Sequence, residues 1–290
     1  MHSTLSKIAL VITFVAGLHV SVATRADEEK PRPIRALLVI GGCCHDYGKQ
    51  KDVLTAGVAA RANVVWTVAY DDDKTDAHQN PVYDRADWAA GYDVIVHDEC
   101  SSWVSDMPTV ERILKPHRDG LPAVVLHCGM HSYRTEGYPD AVTPWFAFTG
   151  VPSTGHGPQL PIAVTYVDRD SPITSKLEDW TTINEELYNN SAGKLLDTAR
   201  ALARGKQTIK NKEGETSTDE SVVAWTNTYA GKTRVFATTL GHNTKTVADG
   251  RYLDLVTRGL LWSVDKLDDK NLKPAQKPDH ADEAGKAESK

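Results

Sequence analysis

The body of this chain lacks a basic block, and its 290 residues carry a formal net charge of −6. Proteins that bind nucleic acids usually present clustered lysine and arginine, so this composition argues against a nucleic-acid partner. Neither a GxGxxG sequence nor a Walker sequence is present, although Gly41-Gly42 closes an apolar run. We therefore expect no nucleotide cofactor.

Cysteine is scarce, and the chain has only Cys43, Cys44, Cys100 and Cys128. Their spacing matches neither a zinc finger nor a small disulfide scaffold. An oxidising compartment would permit a disulfide among them, and the sequence leaves the pairing open.

No apolar run is long enough for a comfortable membrane span; the best candidate is residues 8–22, which precede small residues at Ala23 and Ala26. Residues 1–26 therefore predict a secretory signal peptide, with an uncleaved anchor as the alternative. We expect an exported protein, periplasmic or extracellular, that meets the membrane only through this signal. The remaining boundaries are a leader at 27–33, one domain at 34–264 and a charged, disordered tail at 265–290.

Short apolar runs alternate with amphipathic segments in the first half of the domain. The runs predict buried parallel strands, and the segments between them predict helices that cover the sheet. This rhythm indicates a doubly wound α/β sheet with right-handed crossovers. The predicted strands are 34–41, 64–70, 92–97 and 123–126, with helices at 49–62 and 106–118.

The second half has a less regular pattern. Two alternating runs around Ala230-Gly231-Lys232 predict a hairpin. The other predicted elements are an aromatic helix at 139–149, a glycine/proline loop at 151–159, strands at 161–168, 183–188 and 195–203, a surface loop at 205–219 and a last helix at 249–264.

Polar residues follow several of the predicted strands directly. Open α/β sheets bind ligands at the carboxyl ends of their strands, so these residues are expected to surround one crevice. They are His45-Asp46, Asp98-Glu99, the histidines of 127–131 and His242, with His156 in a loop able to fold over them.

The segment 127–131, HCGMH, supports two different chemistries. His127 and His131 would share a helix face at i, i+4, and Glu186 or Asp98 could complete a site for a divalent metal such as zinc. Alternatively, Cys128 followed by Gly129 has the form of a nucleophile elbow. A buried, structural cysteine is the simpler interpretation of Cys128.

Four motifs together resemble the ThuA-like (trehalose utilisation) family. They are Gly41-Gly42 leading to His45-Asp46-Tyr47, the sequence LHCGMHS at 126–132, Glu186-Leu187-Tyr188, and Thr239-Leu240-Gly241-His242 before the last helix. The resemblance extends from about Arg35 to Val264. It implies a flavodoxin-like three-layer α/β/α sandwich with a mostly parallel sheet, similar to class I glutamine amidotransferases. It also implies a role in carbohydrate utilisation.

The chain departs from the family pattern at three positions. Cys128 replaces a second histidine and stands where the amidotransferases carry their nucleophile. Tyr133 stands where the family usually has tryptophan, and His156-Gly157-Pro158 replaces a His-Pro pair. These departures leave the substrate open.

The resulting hypothesis is an exported enzyme that acts on a disaccharide or keto-sugar derivative through a histidine and carboxylate centre. A non-catalytic carbohydrate-binding or sensing domain is one alternative, with Trp103, Tyr133, Trp145 and Tyr188 as stacking platforms. A Cys128-dependent amidotransferase-like hydrolase is another, and a homo-oligomer is compatible with either. The predicted catalytic residues are His127, His131, Glu186, Asp98 and His242; the metal ligands His127, His131 and His242; and the substrate-binding residues His45, Asp46, Tyr133, His156 and Tyr188.

Overall fold

The computed structural model describes residues 32–190 and 194–273. The predicted signal peptide lies outside these residues. In the described part of the chain, none of the helices combines the length and apolar character needed to cross a membrane. The strands are β1 (Ile34–Gly42), β2 (Val64–Asp71), β3 (Val94–Cys100), β4 (Ala123–Leu126), β5 (Ser153–Tyr166), β6 (Trp180–Asn190), β7 (Ala199–Lys210), β8 (Thr216–Tyr229) and β9 (Thr233–Thr238). The α-helices are α1 (Tyr47–Arg61), α2 (Met107–Asp119), α3 (Pro144–Thr149), α4 (Thr244–Val247) and α5 (Gly250–Ser263), with 3₁₀ helices at Pro81–Asp84 and His127–His131.

One nine-stranded sheet organises the described residues, in the order β2-β1-β3-β4-β9-β8-β7-β5-β6. The first five strands in this order are parallel, and the remaining pairs are antiparallel. The parallel part has the 2-1-3-4-5 order of flavodoxin-like folds. The expected α/β class is confirmed, and the antiparallel extension makes the sheet a mixed one.

Two apolar cores lie on opposite faces of the sheet. On β1, Leu38 and Ile40 point into one core and Leu37 and Val39 into the other, because successive strand residues face opposite sides. The first core packs against α1 and α5, and the second packs against α2 and α3. This arrangement is the three-layer sandwich that the motifs implied.

Helix α2 has the termini that its sequence predicts. The Asp106 side chain accepts a hydrogen bond from the backbone N–H of Thr109 at 3.0 Å. Gly120 ends the helix in the left-handed region, at φ +119°. The hairpin of β8 and β9 around Ala230-Gly231-Lys232 is formed as predicted.

Two predicted loops are strands in the structure. The glycine/proline segment at 151–159 contributes to β5, whose irregular register with β6 accommodates the prolines. The predicted surface loop at 205–219 belongs to the ribbon of β7 and β8, which turns between Lys210 and Thr216. The outer part of this ribbon is largely exposed, so its strands need no apolar alternation and the sequence signal is absent.

The folded body extends beyond the predicted domain end at residue 264. Leu272 forms an isolated bridge with Ala62, and the backbone N–H of Lys273 donates to the Arg61 carbonyl at 2.8 Å. The first residues of the predicted tail therefore pack against the end of α1. The remainder of that tail, 274–290, lies outside the described residues.

Gly42 permits the close approach of β1 and β3. Its φ is +96°, and a Cβ added there would overlap the backbone carbonyl of Cys100. We expect Gly42→Ala to lower the free energy of unfolding by about 3 kcal/mol, from backbone strain plus a clash with main chain. Urea denaturation measures this effect.

Gly231→Ala provides the matched control for this prediction. Gly231 also has positive φ, at +71°, but nothing lies within 4 Å of an added Cβ. Its substitution should cost only about 1 kcal/mol. Equal costs at the two positions would contradict the steric explanation.

Candidate functional site

His127 occupies the sharp turn after β4. It has φ +37°, an uncommon backbone conformation for a residue with a side chain, and begins the 3₁₀ helix His127–His131. The nucleophile-elbow interpretation placed Cys128 at this position. The structure assigns the strained elbow to His127 instead, one residue earlier.

The imidazole of His127 is buried and has a defined tautomer. Its Nδ1 lies 2.6 Å from the Thr239 carbonyl oxygen, which can only accept, so Nδ1 carries the proton. Its Nε2 accepts from the Tyr188 hydroxyl at 3.1 Å and faces a Glu186 carboxylate oxygen at 3.5 Å. The lone pair of Nε2 is therefore directed into the site.

Three imidazole rings meet at this point, and we call His45, His127 and His242 the three-histidine group. The His45 ring lies 4.7 Å from that of His127 and 4.8 Å from that of His242, between centroids. One ring nitrogen from each of the three lies within 4.8 Å of the others. They come from the segments after β1, β4 and β9, as expected for an α/β sheet.

Glu186 on β6 faces the three-histidine group with a largely buried carboxylate. Its oxygens lie 3.3 Å from His242 Nδ1 and 3.6 Å from His156 Nε2, in addition to the His127 contact. Burial alone would raise the pKa of this carboxyl, but the contacts with His127 and His242, when these rings are protonated, outweigh it and hold the pKa well below its usual range. Glu186 is therefore a carboxylate, and contact with it raises the pKa of His242.

Gln159 on β5 joins Glu186 to His242. Its amide nitrogen donates to Glu186 Oε1 at 3.1 Å and lies 2.9 Å from His242 Nε2. An amide N–H can only donate, so His242 Nε2 accepts and the proton of a neutral ring is on Nδ1, facing Glu186. Gln159 thus fixes the orientation of both groups.

Glu185 holds the backbone of the loop that carries His242. Its side chain is fully buried and accepts hydrogen bonds from the backbone N–H groups of His242, at 3.0 Å, and Asn243, at 2.9 Å. On the other side of this loop, the Gln50 amide donates to the His242 carbonyl at 3.0 Å. The position of the His242 ring depends on both clamps.

We expect Glu185→Gln to cost about 2 kcal/mol of folding stability, because it replaces two charge-assisted hydrogen bonds with at most one weaker one. If the loop positions a metal ligand, its displacement should also weaken zinc binding at least tenfold, by analogy with residues that orient metal ligands. Thermal denaturation and zinc titration measure the two effects. Glu213→Gln, in the exposed turn between β7 and β8, is the control and should change neither. Unchanged zinc affinity in Glu185→Gln would show that the clamp does not position His242.

The three-histidine group has the features expected of a metal site. Burial, together with the neighbouring His127 and His242, lowers the pKa of His45 to about 2, so its ring is neutral and able to ligate. The Nδ1 atom of His45 is buried and has no hydrogen-bond partner among the described residues. The His127 proton donated to a carbonyl is the usual outer contact of a ligating imidazole.

His131 lies beside this group but does not join it. Its ring stacks on Tyr188 with centroids 4.0 Å apart, and its Nε2 donates to Ser153 Oγ at 2.9 Å. The i, i+4 geometry expected of His127 and His131 does not form, because the segment is a 3₁₀ helix with three residues per turn. The third imidazole of the group is therefore that of His45 and not, as predicted, that of His131.

Three other predicted site residues make no contact with the three-histidine group. Tyr133, predicted to bind substrate, is buried on the α2 and α3 face, where its hydroxyl donates to Glu99 at 2.8 Å. The side chain of Asp98, predicted to orient a catalytic neighbour, makes no hydrogen bond or ion pair with any described residue. Burial and Glu99 raise the pKa of Asp98 well above the usual value, and Asp98 in turn raises the pKa of Tyr188. Asp46 is exposed and begins α1, where its carbonyl accepts from the Gln50 N–H.

Tyr188 and His156 lie at the site, as the sequence suggested. The Tyr188 hydroxyl contacts His127. His156 contacts Glu186 from the solvent side of the site, with 42% of its side chain accessible. Among the proposed stacking platforms, Trp145 is buried in the core and Trp103 is 73% exposed. The set of four aromatic platforms is therefore not assembled on one surface.

Cys128 has no free thiol in the structure. It is joined to Cys100 by a disulfide, and Cys43 is joined to Cys44. Since a nucleophilic cysteine must be a thiolate, Cys128 cannot attack a substrate in this state.

Sequence reasoning missed Gln50, Gln159 and the role of Glu185. A glutamine has no spacing signature, and its contacts here join elements remote in sequence. Glu185 directly precedes Glu186 in the sequence, but nothing in this pair distinguishes a carboxylate that holds backbone from one that faces the site.

These observations define an α/β protein of flavodoxin-like topology that carries a histidine and carboxylate site at the carboxyl ends of its parallel strands. The family model for ThuA, described as trehalose utilisation, matches residues 37–263, and the chain belongs to this family. Its membership links it to carbohydrate utilisation. No curated protein matches the sequence significantly.

Two solved structures share the fold. A ThuA-like protein from Parabacteroides merdae is 18% identical, with a TM-score of 0.61, and the match covers 80% of this chain and 90% of that one. A ThuA-like protein from Bacteroides uniformis is 13% identical, with a TM-score of 0.55, covering 82% and 95%. At this identity the likeness extends to the fold alone.

Proposed function

We propose that this protein is an exported enzyme of carbohydrate utilisation that acts on a disaccharide or keto-sugar derivative. The observation that carries the proposal is the convergence of the three-histidine group on the Glu186 carboxylate. Its members come from segments remote in sequence, and the buried Nδ1 of His45 has no hydrogen-bond partner among the described residues. An arrangement that costs this much desolvation is typical of a catalytic centre.

His45, His127 and His242 would hold a divalent metal such as zinc. The Nε2 atom of His242 accepts a hydrogen bond from Gln159 in the structure and would exchange that hydrogen bond for the ion. When bound, such an ion would supply Lewis-acid polarisation of a sugar oxygen or acidify a water molecule. The fit is supported by the neutral His45 ring and by the lone pair that His127 Nε2 directs inward. Three protein ligands with an open position are typical of catalytic zinc sites.

Glu186 would act as the general base of this centre. It is ionised and lies 3.3 Å from His242 Nδ1, whose N–H orients the carboxylate to take a proton from the substrate. Tyr188, held protonated because burial raises its pKa, can donate a hydrogen bond to a developing oxyanion. Removal of a proton next to a sugar carbonyl, or elimination from that position, requires such a pair of groups.

The experiment is metal analysis of the purified protein, followed by incubation with trehalose and other disaccharides and with their keto derivatives. We expect about one zinc per chain after loading and a product detected by NMR that disappears with a chelator and returns with zinc. Saturable sugar binding without any product would favour the carbohydrate-binding alternative and overturn the enzymatic proposal. Turnover that is insensitive to the chelator would overturn the metal assignment alone.

A further inference from the structure

The four cysteines form a continuous group of sulfur atoms beside the three-histidine group. The Cys43–Cys44 and Cys100–Cys128 disulfides are in contact, because Cys43 Sγ lies 3.5 Å from Cys100 Sγ. This distance is that of reacting atoms poised for attack. The two disulfides therefore lie where a thiolate released from the first can reach the second.

The group runs from solvent to the interior. Cys44 is exposed, whereas Cys43, Cys100 and Cys128 are each at most 8% exposed. An external thiolate can therefore reach Cys44 far more readily than any other sulfur. At the inner end, ligand atoms of Cys100, Cys128 and His45 lie within 4.8 Å of one another.

We propose that these cysteines form a thiol–disulfide exchange site, which takes a small-molecule or protein thiol at Cys44 and releases the thiol of Cys128 beside His45. In the first step an external thiolate attacks Cys44 Sγ. A mixed disulfide forms on Cys44, the Cys43–Cys44 bond breaks, and its electron pair leaves on Cys43 as a thiolate.

In the second step the Cys43 thiolate attacks Cys100 Sγ across the 3.5 Å contact. The Cys43–Cys100 bond forms, the Cys100–Cys128 bond breaks, and the electron pair leaves on Cys128, which takes a proton from water or remains a thiolate. The number of disulfide bonds is unchanged, since one is now shared with the external thiol. A second external thiol would remove the first as an oxidised disulfide and leave Cys44 reduced.

The consequence for the neighbouring site is a change in its donor atoms. Cys128 follows His127 directly, and its released sulfur lies at ligand range from His45. A sulfur donor there would favour softer metal ions than imidazole alone. Exposure to external thiols is therefore coupled to the chemistry of the histidine centre.

The test maps the cysteines of the folded protein by mass spectrometry after brief exposure to reduced glutathione, acid quenching, unfolding and alkylation. We expect glutathione on Cys44, a Cys43–Cys100 linkage and alkylated Cys128. A Cys100–Cys128 linkage that survives while Cys44 carries glutathione would overturn the proposal.

Two variants separate the relay from direct attack on the inner disulfide. Cys44→Ser leaves Cys43 as a thiol, so Cys128 should become alkylatable with no glutathione added. Cys43→Ser removes the internal attacking group, so alkylation of Cys128 after glutathione should fall at least tenfold, in proportion to the lost effective concentration. Equal release of Cys128 in the wild type and Cys43→Ser would refute the relay. Melting curves of both variants establish that they are folded, and the wild-type mapping decides the question if either is not.

Discussion

Replacement of His127 by alanine should reduce turnover of the proposed sugar substrate by a factor of about 10² to 10⁴, the usual contribution of one acid–base or ligating group. The lost Nε2 is the atom that faces both Glu186 and Tyr188. Zinc affinity should fall with it, because two imidazoles remain of the three. Steady-state kinetics and zinc titration measure the two losses.

His127→Gly provides a comparison that separates function from strain. Both variants lack the imidazole, so both should be inactive. Glycine adopts φ +37° without the penalty that alanine incurs, and His127→Gly should be about 1 kcal/mol more stable than His127→Ala. Substantial activity in either variant would show that His127 has no role in catalysis. Equal stability of the two variants would show that the backbone at residue 127 is not strained.

Replacement of Glu186 by glutamine should have an equally large effect on turnover, about 10² to 10⁴, without a large change in packing. Because the carboxylate raises the pKa of His242, its removal should shift the His242 titration to lower pH. NMR titration of the imidazole protons measures this shift directly. Glu213→Gln, remote from the site in the exposed ribbon turn, should leave the titration and turnover unchanged.

The contact between His242 and Glu186 also determines how folding stability changes with pH. A raised pKa of His242 stabilises the folded state below its unfolded pKa of about 6.5, and this contribution is lost as pH rises through the folded value. The wild type should therefore lose more stability than Glu186→Gln as pH rises above about 6.5. Parallel stability profiles of the two proteins over that range would contradict the coupling.

The parallel half of the fold could be predicted because each of its strands is a short apolar run ending in polar residues. Periodicity identified α1 and α2, and the capping residue Asp106 located the start of α2. The ribbon of β7 and β8 was missed for the opposite reason. The parts of β7 and β8 next to their connecting turn are largely exposed, so their polar sequence resembles that of a loop.

The site could be predicted only in part, for a reason that lies in its geometry. His127 and His242 follow strands directly, and the carboxyl-edge rule was enough to place them together. Glu186 belongs to β6, which is last in the strand order. It contacts His127 only because the antiparallel part of the sheet brings β6 back to the carboxyl ends of the parallel strands. No local sequence pattern predicts this contact between Glu186 and His127. No local pattern shows, either, that His45 rather than His131 is the third member of the three-histidine group.

The pairing of β4 with β9 has a consequence for how the chain acquires its structure. During synthesis, β4 is complete at Leu126, but its partner begins only at Thr233, so one of its edges stays uncovered while about a hundred residues are added. Fragments that end before β9 would expose that edge to aggregation and would also lack His242. Truncation, chaperone dependence and loss of the three-histidine group should therefore coincide in this protein, since the same late segment closes the sheet and supplies His242.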